Sequence, residues 1–293
     1  MHTPVAPAGA TVPGVRHRTT DVNGTTLHHV TAGTSGDPVL LVHGFPESWW
    51  VFHRLIPLLA ERHRVVAVDL RGFGDSATAG PDFGSAVAAE DLHALIGALD
   101  LGPVHLVGQD IAGGTLYRLA GDHPGDVRSL TAIEMGLGGF GLEGFADVTH
   151  GGSWHIGVLA APGIARLLLT GRERELLGEW AFPSMTVVPG AVDDADVAEL
   201  ARTFARDGGW EGAAGLYRSM LTEGDELRAR ARTPLTVPAL AVGGSGGPFT
   251  AATLAHVVQG PVRAVELDGV GHHVALEAPE RLAAVLLDFL ASL

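Results

Sequence analysis

The sequence of 293 residues predicts an α/β fold: a mostly parallel eight-stranded sheet, helices on both of its faces, and an inserted helical cap. Three observations lead to this prediction. Short, wholly apolar runs recur along the chain and are typical of strands that are buried on both faces. Segments with an apolar stripe at helical spacing lie between these runs. The alternation stops near Gly136 and resumes near residue 235, which indicates an insertion within one core.

The N-terminal third of the chain begins the sheet. Residues 1–15, MHTPVAPAGATVPGV, have no basic start and no long apolar run, so they predict a flexible tail and not a signal peptide. Residues 16–32 predict a hairpin that turns at Asn23-Gly24. Apolar runs at 39–42 and 65–68 then predict two buried strands.

The middle and the end of the chain continue the alternation. Residues 85–99 predict a helix with Leu92, Leu95, Ile96 and Leu99 on one stripe. Strands are expected at 104–107, 130–133, 240–242 and 262–267, and a last helix at 280–292. The predicted core therefore spans 16–135 and 235–293, and residues 136–234 form the cap, which is rich in Gly, Trp and helix-like segments.

Composition limits the possible partners. The formal net charge of −14 argues against nucleic acid or an anionic membrane surface as a partner. Cysteine is absent from the sequence, which excludes disulfides and thiol catalysis and fits a cytoplasmic location. No apolar run approaches the ~20 residues of a membrane-spanning helix. The sequence does not fix the oligomeric state, and a homodimer is compatible with it.

The segment HLVGQDIAGG at 105–114 places a carboxylate where a strand turns into a helix. Gly108, Asp110 and Ala112 match the pattern small-x-nucleophile-x-small, which lifts the central side chain above the sheet edge beside a helix N-terminus. Asp110 is therefore a candidate nucleophile. The alternative is an Asp that only caps the helix.

A second motif, His43-Gly44-Phe45-Pro46, follows the strand at 39–42. Its loop can aim the backbone N–H of Phe45 at the same point as the N–H of Ile111. Two such donors form an oxyanion hole. An ordinary turn is the alternative.

A histidine at the end of the core would serve as the general base. Gly269-Val270-Gly271-His272-His273 lies between the last strand and the last helix. The small residues before His272 favour it as the base, and His273 is expected to pack against its surroundings. No metal or other cofactor is expected, because adjacent histidines on a strand, as in His28-His29, point in opposite directions.

A catalytic imidazole needs an acid that holds its tautomer. The common location is the loop after the seventh strand, here Gly243 to Phe249, but there is no Asp or Glu between Glu226 and Glu266. Glu134 directly follows the strand at 130–133, on the edge that carries the site, and is assigned the orienting role. The alternative is a surface Glu at a strand end.

From about residue 16 onward the chain resembles the α/β-hydrolase fold. The motifs that carry the resemblance are HGFP at 43–46, DLRGFGDS at 69–76, GQDIAG at 108–113 and Gly271-His272. Together they look like the epoxide-hydrolase branch. The order of the motifs is specific for the fold and the nucleophile and less specific for the substrate, because dehalogenases share it.

The resemblance implies cap residues that donate to the epoxide oxygen, usually two tyrosines. Only Tyr217 lies in the cap, since Tyr117 follows the nucleophile within the core. Trp154-His155 resembles a segment of relatives that use a His/Tyr pair and take their acid after the sixth strand. His155 and Tyr217 are therefore the expected donors. Their alternatives are a polar residue on the cap surface and an aromatic residue of the cap core.

The expected reaction opens an epoxide to a vicinal diol through an ester on Asp110. The candidate lining points to an apolar or aromatic epoxide. It consists of Phe45, Trp49, Trp50, Trp154, Phe182 and Trp210.

Other reactions remain as alternatives. Haloalkane dehalogenases resemble the chain but offer Asn and Trp where it has Phe45 and Ile111. Haloacetate dehalogenases need arginines just after the nucleophile, where the chain has Ile111 to Gly114. Ester or lactone hydrolysis would require an anhydride on Asp110. A non-catalytic binding protein would not need the full set of catalytic residue types.

Overall fold

The computed structural model describes residues 2–293, in which nine strands form a single mixed sheet. The strands are β1 (His2–Pro4), β2 (Arg16–Val22), β3 (Thr25–Ala32), β4 (Pro38–Val42), β5 (Arg64–Val68), β6 (Val104–Gln109), β7 (Val127–Ile133), β8 (Ala239–Gly243) and β9 (Arg263–Glu266). Their order across the sheet is β1-β2-β3-β5-β4-β6-β7-β8-β9. The pairs β1–β2, β2–β3 and β3–β5 are antiparallel, and the remaining pairs are parallel.

Thirteen α-helices accompany the sheet among the described residues. They are α1 (Leu55–Ala60), α2 (Ser85–Ala98), α3 (Gly113–Asp122), α4 (Trp154–Ala160), α5 (Ile164–Leu169), α6 (Glu173–Glu175), α7 (Phe182–Met185), α8 (Asp194–Phe204), α9 (Glu211–Thr222), α10 (Gly224–Arg230), α11 (Gly247–Val257), α12 (Val274–Glu277) and α13 (Pro279–Ala291). Helices α4 to α10 lie between β7 and β8, in the segment that the sequence predicts as a cap, and are called the cap below.

The burial of the central strands explains why their sequences are mainly apolar. Every residue of β4, β6 and β8 is buried. A strand whose alternate side chains are all buried must be covered on both faces. Helices α1 and α13 pack against each other, as do α2 and α3. The predicted α/β fold with a mostly parallel sheet is therefore confirmed.

The hairpin that the sequence predicts at residues 16–32 is present. Strands β2 and β3 are antiparallel partners, with Val22 opposite Thr25 next to the turn and Arg16 opposite Thr31 at the far end. The two turn residues, Asn23 and Gly24, have φ values of +42° and +75°. Asn and Gly are the residues that best tolerate two successive positive φ values, as a type I′ turn requires.

The chain differs from the expectation at its N-terminus, where a flexible tail and eight strands were predicted. Residues 2–4 add a ninth strand, with His2 opposite Thr20 and Pro4 opposite Arg18. Further along, the amide of Ala10 donates to Glu199 of α8 over 2.9 Å. A three-residue edge strand is held by backbone bonds and leaves no apolar alternation in the sequence.

The last strand also differs from its prediction. The apolar run at 262–267 was expected to be buried, but β9 is an edge strand with Arg263, Ala264 and Glu266 exposed. The sequence pattern alone does not distinguish an exposed edge strand from a buried central strand.

Several polar contacts fasten the cap to the core. Asp196 of α8 accepts hydrogen bonds from Trp50 Nε1 and Arg54 Nη2, each over 2.9 Å. Arg202 makes a two-pronged contact with Asp75, also with both bonds at 2.9 Å. Within residues 2–293, none of the helices combines the length and apolarity needed to cross a membrane.

Candidate active site

Asp110 stands at the tight turn between β6 and α3. Its φ is +53°, a left-handed conformation that side chains rarely adopt and that costs on the order of 1 kcal/mol. The turn is possible because its neighbours are small. A Cβ on Gly108 would lie 2.1 Å from Leu116, and one on Gly113 would lie 2.2 Å from the carbonyl oxygen of Gly136.

The carboxylate of Asp110 is held by the loop after β4. The N–H of Phe45 donates to Oδ2 over 2.9 Å. Gly44 permits this approach, since a Cβ there would lie 2.5 Å from the Cβ of Asp110. Burial opposes ionisation, but the hydrogen bond and charge of His272, with the N–H groups of Phe45 and Ile111, outweigh it and lower the pKa of Asp110.

His272 lies between two carboxylates. Its Nε2 is 3.3 Å from Oδ1 of Asp110, and its Nδ1 is 3.2 Å from Oε2 of Glu134. Burial favours the neutral ring, but the hydrogen bonds and charges of Asp110 and Glu134 outweigh it and raise the pKa of His272 to about 10. The two carboxylates therefore favour the protonated form of the ring.

Glu134 reaches His272 from the end of β7, with its backbone in the left-handed region at φ +48°. The loop after β8 is the cradle for its side chain. The N–H of Gly246 donates to Oε1 over 2.9 Å. A Cβ on Gly243 or Gly246 would lie 2.5 Å or 2.3 Å from the Glu134 carboxylate. The glycines of this loop thus make room for an acid that arrives from the neighbouring strand.

The two cap residues His155 and Tyr217 form a buried pair above Phe45. His155 Nε2 lies 3.0 Å from the Tyr217 hydroxyl oxygen. Their rings pack on Phe45, stacked at 5.7 Å and edge-on at 5.5 Å respectively. Burial lowers the pKa of His155 to about 4, so its ring is neutral. Burial and the charge of Asp110 raise the pKa of Tyr217 well above its usual value.

Other aromatic residues surround this pair. Trp154 is 41% exposed and packs on Trp180, which also lies 5.2 Å from His155. Phe204 meets Phe45 edge-on at 5.8 Å, and Trp210 packs behind Phe204. Sequence reasoning did not select Trp180 or Phe204, because neither belongs to a motif.

Three of the expected lining residues have their aromatic contacts elsewhere. Trp49 is 1% exposed and contacts His17 and Trp50. Trp50 stacks on His53. Phe182 packs on the buried His273. The aromatic partners of Trp49 and Trp50 are thus His17, His53 and each other, and Trp50 Nε1 donates to Asp196 of α8.

Two buried glutamates, Glu47 and Glu277, hold the loops that carry Phe45 and His272. The sequence alone predicts a role for neither. Glu47 accepts from Gly44 N over 2.9 Å, from Gln109 Nε2 over 2.5 Å and from His273 Nδ1 over 3.1 Å. It therefore ties the loop after β4 to the end of β6 and to His273. The sequence signal was its place one residue after the HGFP motif.

Glu277 connects the cap to the loop at residues 269–273, which contains His272 and is called the histidine loop. Its carboxylate accepts from the N–H groups of Val187, Val188, Gly271 and His273 at 2.8–3.1 Å. The N–H of His272 also donates to the carbonyl of Met185 over 2.9 Å. The end of α7 and the loop that carries His272 are thus joined by backbone hydrogen bonds.

Two groups of side chains bring possible metal ligands together. They are His28, Asp69 and Asp75, and His93, His123 and Asp126. In the first group, His28 Nδ1 is 2.7 Å from Asp69 Oδ2 and its Nε2 is 3.0 Å from His17. Both ring nitrogens of His28 are therefore already in hydrogen bonds. Neither group includes Asp110, Glu134 or His272.

The arrangement can perform nucleophilic substitution followed by hydrolysis. It has an ionised carboxylate at Asp110, the N–H groups of Phe45 and Ile111, an imidazole held by an acid, and the buried His155–Tyr217 pair on Phe45. Each of these groups is one that a covalent mechanism requires.

The chain is similar to several known proteins of the α/β-hydrolase fold. A family profile described as alpha/beta hydrolase fold matches residues 37–145. A soluble epoxide hydrolase from Corynebacterium sp. (strain C12) is 30% identical over 95% of this chain and 98% of its own. The crystal structure of Cfl2 from Burkholderia cenocepacia superimposes with a TM-score of 0.86, at 32% identity, covering 97% of this chain and 99% of that one. A fluoroacetate dehalogenase from Burkholderia sp. is 39% identical over 42% of this chain and 41% of its own.

Proposed function

The chain belongs to the α/β-hydrolase family, among the epoxide hydrolases, and from this premise we propose that it opens an epoxide to a vicinal diol through an ester on Asp110. The observation that carries the proposal is the position of the Asp110 carboxylate. It lies between the Phe45 N–H, at 2.9 Å, and His272, at 3.3 Å. The packing of His155 and Tyr217 on Phe45 supports their role as donors to the epoxide oxygen.

In the first step Oδ1 of Asp110 attacks an epoxide carbon. Oδ2 is bound by the N–H of Phe45, and Oδ1, which faces His272 at 3.3 Å, still has a lone pair for the attack. A bond forms between Oδ1 and carbon, and the bond between that carbon and the ring oxygen breaks. His155 and Tyr217 hydrogen-bond the resulting alkoxide, an interaction of a kind typically worth ~10²–10³ in rate for each donor.

Formation of the ester changes the protonation state of His272. The negative charge leaves Asp110 and appears on the alkoxide, so one of the two anions that hold the proton on His272 is lost. The pKa of His272 therefore falls, and its proton neutralises the alkoxide. The same event that creates the ester thus turns His272 into the base that the next step needs.

In the second step water cleaves the ester. Neutral His272, held by Glu134, takes a proton from water, and the hydroxide oxygen bonds to Cγ of Asp110. The N–H groups of Phe45 and Ile111 receive the oxyanion. When the intermediate collapses, the bond between Cγ and Oδ1 of Asp110 breaks, and Oδ1 leaves on the substrate carbon. The new carboxyl proton goes to the departing alkoxide, so the diol leaves, Asp110 is again ionised and His272 again protonated.

Isotope labelling tests this proposal. A single turnover in H₂¹⁸O should place the heavy oxygen in the peptide that contains Asp110 and not in the diol. The His272→Gln variant should retain a mass increase equal to the substrate, and Asp110→Asn should lose activity. Styrene-type, aliphatic and polycyclic epoxides form the substrate panel. Label found directly in the first diol would contradict the mechanism.

Dehalogenation is the second candidate, because a fluoroacetate dehalogenase matches part of the chain at 39% identity. A haloacetate carries a carboxylate that needs a cation close to the nucleophile. The residues Ile111 to Gly114 supply none. Release of fluoride from fluoroacetate, or of halide from haloalkanes, at a rate above that of diol formation would favour this reaction instead.

A further inference from the structure

Ser153 stands at the N-terminal end of α4, the cap helix that carries His155. A serine at this position commonly accepts a hydrogen bond from the backbone of the first helical turn. Here the hydroxyl makes no such bond. It lies instead 2.6 Å from Nδ1 of His155, two residues further on.

The protons of the His155–Tyr217 pair can be arranged in two ways. A neutral imidazole carries a single N–H, and a tyrosine carries a single O–H. If His155 is protonated on Nδ1, that proton goes to Ser153, and Nε2 accepts the only proton of Tyr217. Neither residue then has a proton for a ligand. If His155 is protonated on Nε2, Ser153 donates to Nδ1 and the Tyr217 proton is free.

We propose that Ser153 is a positioning residue that donates to Nδ1 of His155 and so holds the Nε2–H tautomer, in which the Tyr217 proton is free for the substrate oxygen and Nε2–H can turn from the Tyr217 oxygen to the same atom. The 2.6 Å contact on one side of the ring and the 3.0 Å contact on the other give each ring nitrogen of His155 one partner. The choice between the two tautomers follows from the need for a donor, because only the Nε2–H form leaves a proton for a ligand. The low pKa of His155 agrees with it, because a ring protonated on both nitrogens would need no tautomer control. The inference rests on the proposed function, whereas the measurement of the tautomer does not require turnover.

Nuclear magnetic resonance with ¹⁵N-labelled histidine tests the tautomer in the resting enzyme. The His155 signals are assigned by their loss in a His155→Gln variant. We expect Nδ1 to be unprotonated in the native chain and in Ser153→Thr, which keeps the hydroxyl, and to gain protonation in Ser153→Ala. A native ring protonated on Nδ1, or an unchanged tautomer in Ser153→Ala, would overturn the proposal.

Rapid-mixing kinetics with styrene oxide tests the consequence. Ser153→Ala should slow formation of the Asp110 ester by about ten-fold, less than the full loss of a donor, and leave hydrolysis of the ester unchanged. Ser153→Thr should restore ester formation. Ser184→Ala, which removes another cap hydroxyl bonded only to the Ala181 carbonyl, is the matched control. Equal slowing of both steps would assign Ser153 a general structural role. If the native chain forms no ester, the proposed function fails while the tautomer measurement still decides this inference.

Discussion

Oε2 of Glu134 lies 3.2 Å from Nδ1 of His272, although the two residues are 138 positions apart in the chain. The acid reaches the imidazole from β7, across the loop that follows β8. That loop contains no acid of its own, and its glycines leave the volume that the Glu134 side chain fills. The position of the acid and the composition of the neighbouring loop are therefore parts of one arrangement.

The glycine loop gives a prediction about Gly246. Its φ of −93° suits alanine, so only the contact of the new Cβ, 2.3 Å from Oε2, opposes Gly246→Ala. Displacement of Glu134 by about 1 Å should reduce kcat by roughly 10²-fold and let the ester accumulate. Intact-mass analysis after rapid quenching measures that accumulation. Gly247→Ala is the control, because its Cβ would meet only Cγ of Glu266 at 3.8 Å. Equal activity of the two variants would argue against a role for the cradle.

The charge of Asp110 should control the titration of His272. Burial favours the neutral ring, and the carboxylates of Asp110 and Glu134 hold its pKa at about 10. Asp110→Asn keeps the shape but removes one of these charges, so the pKa of His272 should fall. Titration of the histidine ring signals by nuclear magnetic resonance measures it. An unchanged pKa in Asp110→Asn would contradict the proposed change of state of His272 on ester formation.

The raised pKa of His272 makes the stability of the fold depend on pH. The folded pKa of His272, about 10, lies above the ordinary value of 6.5 expected for the unfolded chain. The folded state therefore binds the extra proton, and its contribution is complete below about pH 6.5 and is lost as the pH rises through about 10. Urea unfolding at several pH values should show this loss in the native chain. The His272→Gln variant should show a smaller decrease, and parallel curves would exclude the effect.

Glu277 should stabilise the joint between the cap and the histidine loop. Glu277→Gln replaces one accepting oxygen by an amide that cannot accept, so at least one buried N–H loses its partner. Such a loss costs about 1–3 kcal/mol. The free energy of unfolding should decrease by this amount. Because the amide oxygen keeps most partners at the Oε2 position, hydrogen exchange should accelerate at His273, whose N–H alone meets Oε1. The exposed Glu280 offers the control Glu280→Gln, which should leave both quantities unchanged.

Local chain geometry explains why much of the candidate site could be predicted. A strand that turns sharply into a helix needs small neighbours, and small residues flank Asp110 in the sequence. The absence of an acid after β8 favours Glu134 as the residue that orients His272. In each case the sequence signal and the spatial requirement lie within a few residues, so no knowledge of distant packing is needed.

The remaining features depend on packing between segments that are far apart in the chain. Trp49 and Trp50 are next to the HGFP motif in sequence, yet their rings meet His17, His53 and α8. Glu277 acquires its role only because residues 187–188 of the cap reach it. The direction of a side chain around a short turn is set by the surface that covers it, and a single sequence does not reveal that surface.

The first strand has a practical consequence for handling the protein. Because β1 occupies the outer side of β2, a chain shortened by its first five residues would leave β2 with unpaired backbone groups, a template on which another molecule can add a strand. A purification tag is better fused after Leu293, which is exposed, than in front of β1. Light scattering of the shortened and complete chains at equal concentration would register the resulting self-association.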